Sequence, residues 1–316
     1  LTVRGIKLLG HGPYDVSAKG ISDTFLEKVA RTVQLLLDPN ASGIDKEKQA
    51  AAIDGMANEN NEGGFGIGPT VQRIGYINSG QYARSFLNDD APDNYPGLQN
   101  TEFSYRAKDY VWEFPDDDAS GSGIADWGGY TVGGQVTEVL EHVLHTISQH
   151  GLHYAYPYEL NITSGNAGPM MAAMQEAITN SVFDVSGYSA LNDGSNEYFA
   201  AIAREYQYLL CYAMWEYYSV YVDGGSLSPE WNDNSRTQAG VLTNNPLGYA
   251  LFNNFISKVI SKPTEATLNA MFAVSGASGY IPVENTNRIL YTPFNSKDTL
   301  TVGNFTGTGT INIANK

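Results

Sequence analysis

Residues 196–221 constrain the fold most. They read as the longest helix of the chain, apolar on nearly all sides. A helix with no polar face has nowhere to meet water, so it should run through the centre with other elements wrapped around it. A carboxylate sits in the middle of it, Glu205 in Arg204-Glu205-Tyr206-Gln207-Tyr208. Leaving it buried and unpaired would cost roughly several kcal/mol. It needs a partner, and a metal ion, a histidine, Arg204 or a tyrosine hydroxyl would each serve. The aromatic residues of 206–221 recur at helical spacing and read as core rather than as a sugar platform or cofactor box.

Around that helix, periodicity and punctuation set the other elements. Residues 2–9 alternate enough for a strand. Ser22 and Asp23 cap a helix over about 24–37, with Phe25, Val29, Val33 and Leu36 at helical spacing. A second helix covers about 45–57. Residues 58–100, rich in Gly, Asn, Asp and Pro, read as structured loops with short elements. Residues 110–114 read as a strand and 115–129 as an acidic, glycine-rich turn region. Further helices are predicted over 134–150, over 169–180 with proline in the first turn, and over 245–260 and 264–274. Residues 298–313 carry two strand-like pieces around a Gly/Thr turn. Many helices and few strands, without β-α-β alternation, give an α+β fold. The division expected is an α+β part over 1–130, a helical part over 131–285 and a β-rich tail over 286–316.

Composition narrows the functions. Thirty-four acids against 18 lysines and arginines give a net charge of −16. Such a surface repels phosphate backbones, so no nucleic-acid partner is expected. No run of 18 apolar residues occurs, so no membrane span is expected. The single cysteine, Cys211, cannot form an intrachain disulfide and reads as a buried structural thiol. A first residue of Leu rather than Met fits a removed signal peptide or a trimmed fragment. Abundant Gly, Tyr, Asn, Ser and Thr fit an exported protein, so the expected location is secreted, extracellular or periplasmic. Sequons at Asn40, Asn161 and Asn304 matter only in a eukaryotic host.

The strongest chemical pattern is Glu138-Val-Leu-Glu141-His142-Val-Leu-His145. Positions 138, 141, 142 and 145 are spaced i, i+3, i+4 and i+7, which puts all four on one helix face. Val139, Leu140, Val143 and Leu144 fall mainly opposite. Two imidazoles and two carboxylates on one stripe suit a divalent transition metal. Glu141 and His145 have the spacing of the two histidines in the zinc-peptidase motif His-Glu-x-x-His, with Glu in the first place and His142 where the base stands. Glu197, Glu205 and Glu216 in the long helix could complete a site. A solvated face with i,i+4 pairs would give the same residues. Gly151 reads as the helix stop, and His150 beside it suits a helix C-terminus. His11 lies in a loop and carries no signal. Residues 63–68 lack the Lys-Ser/Thr of a phosphate loop, and no Gly-x-Ser-x-Gly occurs.

An ordered set of motifs adds a resemblance. The chain carries Leu36-Leu37-Asp38, then Leu140-Glu141-His142-Val143-Leu144-His145-Thr146-Ile147, then Ala155-Tyr156-Pro157. Glu205-Tyr206-Gln207-Tyr208 and Trp231-Asn232-Asp233-Asn234-Ser235-Arg236 follow. In order and approximate spacing it resembles a group of uncharacterised secreted proteins of marine bacteria and algae, over residues 1–285. That group looks like a divergent zincin, Glu-Glu-x-x-His with a downstream Glu. The resemblance implies a zincin-like α+β fold in which Glu141, His145 and Glu205 hold zinc. His142 stands where the group has Glu, so it or Glu138 would handle the proton. The group's Asp-rich loop resembles a calcium loop. Here it reads Asp38-x-Asn40-x-Ser42-Gly43, with Gln49 where a bidentate Glu would stand. Turn formation explains it equally. The acidic clusters at 89–93 and 116–118 could also hold a hard cation or simply be solvated.

Two functions fit. One is an exported zinc-dependent hydrolase acting on a peptide or protein, with Tyr208 or Tyr212 steadying an oxyanion. The other is a non-catalytic surface or extracellular structural protein on the same scaffold, its tail self-assembling by strand addition.

Overall fold

The computed structural model describes residues 1–10, 21–60, 67–68, 70–76, 110–114, 131–162, 167–192, 194, 196–221 and 230–282. The tail, His11, the acidic clusters at 89–93 and 116–118, the side chain of Glu197 and most of residues 61–68 lie outside them.

The chain opens with a hairpin where one strand was expected. Strand β1 (Thr2–Val3) turns back into β2 (Ile6–Gly10), with Val3 opposite Ile6. Arg4 (φ 45°) and Gly5 (φ 82°) both take positive φ, which a tight two-residue hairpin demands. The alternation of residues 2–9 hides this because Arg-Gly is not a common turn signature. Strand β5 (Thr70–Tyr76) pairs parallel to β2, and β6 (Tyr110–Glu113) pairs parallel to β5. The result is a four-stranded mixed sheet in the order β1-β2-β5-β6. Strands β3 (Glu59–Asn60) and β4 (Ile67–Gly68) form a separate two-stranded ribbon. The central strand β5 falls inside the stretch read as loops, because Gly75 and Gln72 break its apolar alternation.

Helices make up most of the rest. Helix α1 (Asp23–Leu36) starts where Ser22 Oγ accepts from the Phe25 N–H at 3.0 Å, and it buries Phe25, Val29, Val33 and Leu36 as expected. Helix α2 (Lys46–Asn58) follows. Helix α3 (Val132–His150) lies against β5 and β6 on one side and against α1, α2 and α6 elsewhere. Helix α4 (Leu152–Ala155) is one turn, and α5 (Pro169–Thr179) begins with its proline. Helix α6 (Asn196–Trp215) stops earlier than expected. Glu216 takes φ 60°, which breaks the helix before the single turn α7 (Tyr218–Tyr221). Helix α8 (Gln238–Asn244) was not expected, and the helix expected over 245–260 is a broken series of α9 (Pro246–Leu251), a π-turn (Phe252–Ile256) and α10 (Ser257–Val259). Pro246 lacks an N–H, so it starts a helix rather than continuing one. Helix α11 (Glu265–Phe272) completes the described chain.

The fold is α+β, a small mixed sheet with mostly helices. Leu1–Pro282 form one compact unit. Its core joins the expected faces of α1, α3 and α6 into one apolar cluster. Cys211 is 2% exposed, and burial pushes its thiol far above the usual range. Among the described residues no helix is long and apolar enough to cross a membrane.

Candidate metal centre

Helix α3 carries the Glu/His stripe, and β6 fixes its orientation. The Thr131 side chain caps α3 by accepting from the Gly134 N–H at 2.9 Å. Gln135 lies along β6: its Oε1 accepts from the Phe114 N–H at 2.8 Å and its Nε2 donates to the Trp112 carbonyl at 2.8 Å. Three residues on, Glu138 Oε1 accepts from the Trp112 N–H at 2.9 Å. Side chains of one helix thus stand in for a further strand on the edge of the sheet. They fix both the rotation and the height of α3.

The opposing wall is α6, and it runs antiparallel. Near one end of the interface, Thr137 Oγ1 donates at 2.7 Å to the carbonyl of Tyr221, just past the end of α6. Further along, His145 Nε2 lies 3.2 Å from Glu205 Oε2. Beyond that, Arg204 donates to Gln149 Oε1 at 2.7 Å. Residue numbers rise on α3 as they fall on α6. In this register Tyr208 stands opposite Glu141. The edge of the Tyr208 ring meets the His145 ring with centroids 5.5 Å apart.

The stripe is not a solvated face. Glu138 is 5% exposed and His145 2%, while Glu141 and His142 are half-buried. Ligand atoms of Glu141, His142 and His145 all lie within 4.8 Å of one another. Among the described residues this is the one such group of His, Cys, Asp or Glu. Each imidazole also faces a carboxylate through Nε2. His142 lies 3.4 Å from Glu138 Oε1, and His145 lies 3.2 Å from Glu205 Oε2. The two rings meet edge to face, with centroids 5.5 Å apart.

Glu141 sits at the centre, and its carboxyl is pushed up to about 7. Burial is the largest cause. His142 and His145 oppose it, and Glu205 and Glu138 add to it. Such a group is uncomfortable as an anion until a cation joins it. A divalent ion satisfies that need, and two imidazoles with a carboxylate are a donor set that transition metals take. The residues therefore fit the group that the sequence pattern implied.

The sequence-selected residues divide accordingly. Glu141, His142 and His145 come together. Glu205 reaches the same place and touches His145. Glu138 accepts from the Trp112 N–H and faces His142 at the edge of the group. Glu216 is exposed at the α6 break, with its carboxylate 3.5 Å from the Gln238 N–H, and does not join. In the loop read as a calcium site, Asp38 Oδ1 accepts from the Asn40 N–H at 2.9 Å, and Gly43 takes φ 85°. Gln49, at the twelfth position, is buried and donates to the Val259 carbonyl at 2.7 Å. These bonds give the loop residues a turn-forming role of their own.

Two nearby residues carried no sequence signal. Tyr188 donates to Glu230 Oε1 at 2.9 Å. Burial, with Glu205 next, raises the Glu230 carboxyl, and Glu205, Glu230 and Glu141 add to the burial that raises the Tyr188 phenol. A backbone bridge between Phe183 and Trp231 and the bond from the Asp184 N–H to the Glu230 carbonyl (2.8 Å) bring these segments together. Nothing local in sequence announces that pairing. The hydroxyls of Tyr208, Tyr212 and Tyr218 are buried and accept or donate no hydrogen bond within the described protein.

No protein-family model, curated protein or solved structure matches the chain significantly. The reading of this site therefore rests on its own chemistry.

Proposed function

We propose that the protein binds a divalent transition metal, zinc first, through Glu141, His142 and His145. The observation that carries this is the convergence of these three ligand groups within 4.8 Å on a largely buried face. Glu205 and Glu138 then act one layer out, each facing a ligand imidazole at Nε2 and leaving Nδ1 as the nitrogen to present to the ion. Carboxylate–histidine pairs of this kind fix ring orientation and raise basicity at metal centres. This differs from the zincin-type assignment of Glu141, His145 and Glu205 as ligands with His142 as base. Three protein ligands leave a coordination position open, which is the mark of a catalytic rather than a structural zinc site. A zinc ion so held would supply Lewis acidity and acidify water. We read the activity as hydrolysis of a peptide or other acyl substrate, in an exported protein resembling a divergent zincin.

A second reading has its own support. Glu205 lies close enough to swing onto the ion as a fourth ligand. The site would then be closed and structural, as a surface or matrix protein on this scaffold requires. Calorimetric zinc titration of wild type and Glu205→Gln separates the two. The open site predicts a weakening of about 10- to 100-fold with one equivalent still bound. Loss of all measurable binding in Glu205→Gln favours the closed site. Absence of zinc binding by the wild type refutes both.

A further inference from the structure

Trp112 stands on the outer strand of the sheet, and α3 holds both polar groups of its backbone. Glu138 Oε1 accepts from its N–H at 2.9 Å, and Gln135 Nε2 donates to its carbonyl at 2.8 Å. Gln135 Oε1 also accepts from the Phe114 N–H at 2.8 Å. Gln135 and Glu138 lie three residues apart on one helix face. They are 1% and 5% exposed, so breaking these bonds leaves buried polar groups that water does not reach.

The same oxygen also serves the candidate metal centre. Glu138 Oε1, which takes the Trp112 N–H, lies 3.4 Å from His142 Nε2. One carboxylate oxygen thus stands between a backbone amide of β6 and a ligand imidazole. It has lone pairs for both donors, but the second donor depends on the ion. A neutral imidazole carries a single N–H, on Nδ1 or on Nε2. With an ion on Nδ1 the proton must sit on Nε2, where it faces Glu138. Without the ion the other tautomer is open, and Nε2 then turns a lone pair toward the carboxylate in place of a donor. Ion binding therefore adds a bond to the very group that holds the sheet edge.

We propose that ion occupancy at Glu141, His142 and His145 is coupled, through Glu138 Oε1, to the pairing of the β6 edge at Trp112. An ion in the site tightens the edge, and a loosened edge weakens the site. Coupling of this kind is reciprocal, each event strengthening the other by the same factor. The inference rests on the metal reading above and adds a regulatory element to it: a strand that supplies no ligand sets part of the affinity.

The test uses the full chain at pH 8 and zinc alone, followed by calorimetry. Gln135→Ala loosens Trp112 without touching a ligand or Glu138, and should weaken zinc binding about three- to tenfold with one equivalent still bound. Thr237→Ala is the control. It removes the cap of α8, whose Thr237 Oγ1 accepts from the Gly240 N–H at 3.1 Å, and should keep zinc affinity within about twofold of wild type. Zinc affinity in Gln135→Ala equal to wild type, or an equal loss in Thr237→Ala, overturns the coupling and leaves the metal site standing. A wild type that binds no zinc overturns both. Amide exchange of the wild type gives a second measurement that needs no variant. The Leu247 N–H also donates to a carboxylate, Glu176 Oε2 at 2.8 Å, but on α9. Saturating zinc should slow exchange at Trp112 about three- to tenfold more than at Leu247. Equal slowing at the two amides refutes the inference.

Discussion

Replacing Glu141 by Gln should stabilise the metal-free protein at alkaline pH while abolishing its metal site. The folded protein holds this carboxyl near 7 rather than 4.5, mainly through burial. Between those values the folded state keeps a proton that the unfolded state has lost. Stability therefore falls as pH rises from about 4.5 through 7, and the full penalty applies above that. At about 1.4 kcal/mol per pH unit, the penalty at pH 8 reaches roughly 3 kcal/mol. Gln has the same shape and no charge, so it escapes this penalty. Spread over a unit the size of Leu1–Pro282, about 3 kcal/mol raises the melting temperature by roughly 5 °C. The assay is urea denaturation of both proteins in chelator at pH 4.5 and pH 8. The variant should gain little at pH 4.5 and the full increment at pH 8, and saturating zinc should reverse the order by stabilising only the wild type. A variant no more stable than wild type at pH 8 would show that Glu141 is not strained there, and would refute the reasoning.

Other expectations concern the scaffold. Gln135→Ala removes two hydrogen bonds, one to Trp112 in β6 and one to Phe114 just past it, and should cost about 1–3 kcal/mol. Amide exchange at Phe114 should accelerate in it relative to wild type, and unchanged exchange would count against α3 as the guard of that edge. Gly248→Ala would drive a methyl into the Asn245 side chain and the Tyr206 hydroxyl, which are bonded to each other at 2.6 Å. Chemical denaturation should show a loss of about 1–3 kcal/mol. Cys211 should resist a thiol reagent in the native protein and react on unfolding, since burial both blocks access and suppresses the thiolate. Rapid native labelling would contradict the core as described.

Much of this was readable from the residues, and the gaps have physical causes. Apolar periodicity located α1, α3 and α5 closely because each helix buries one consistent face. The same periodicity placed Glu138, Glu141, His142 and His145 on one stripe, and of the partners open to the mid-helix carboxylate Glu205 the structure shows a histidine, His145. Roles were harder. Glu138 was placed on the stripe by spacing, while its bond to Trp112 depends on a strand 26 residues away, which no helical spacing reveals. Tyr188 and Glu230 were invisible for a similar reason, since the Phe183–Trp231 bridge joins segments distant in sequence. Strand β5 was missed because its polar Gln72 is buried, with Thr146 of α3 donating to it, and a buried polar residue in a strand mimics a loop. The stop of α6 at Glu216 depends on a positive φ that an ordinary residue adopts only under tertiary constraint.

Elemental mass spectrometry tests the central claim most directly, on wild type and His145→Ala purified identically and dialysed mildly against zinc-containing and then metal-free buffer. The account predicts about one equivalent of a transition metal in the wild type and none in the variant, with both proteins folded. A wild type that retains no transition metal, or a His145→Ala protein that retains the same amount, would contradict it.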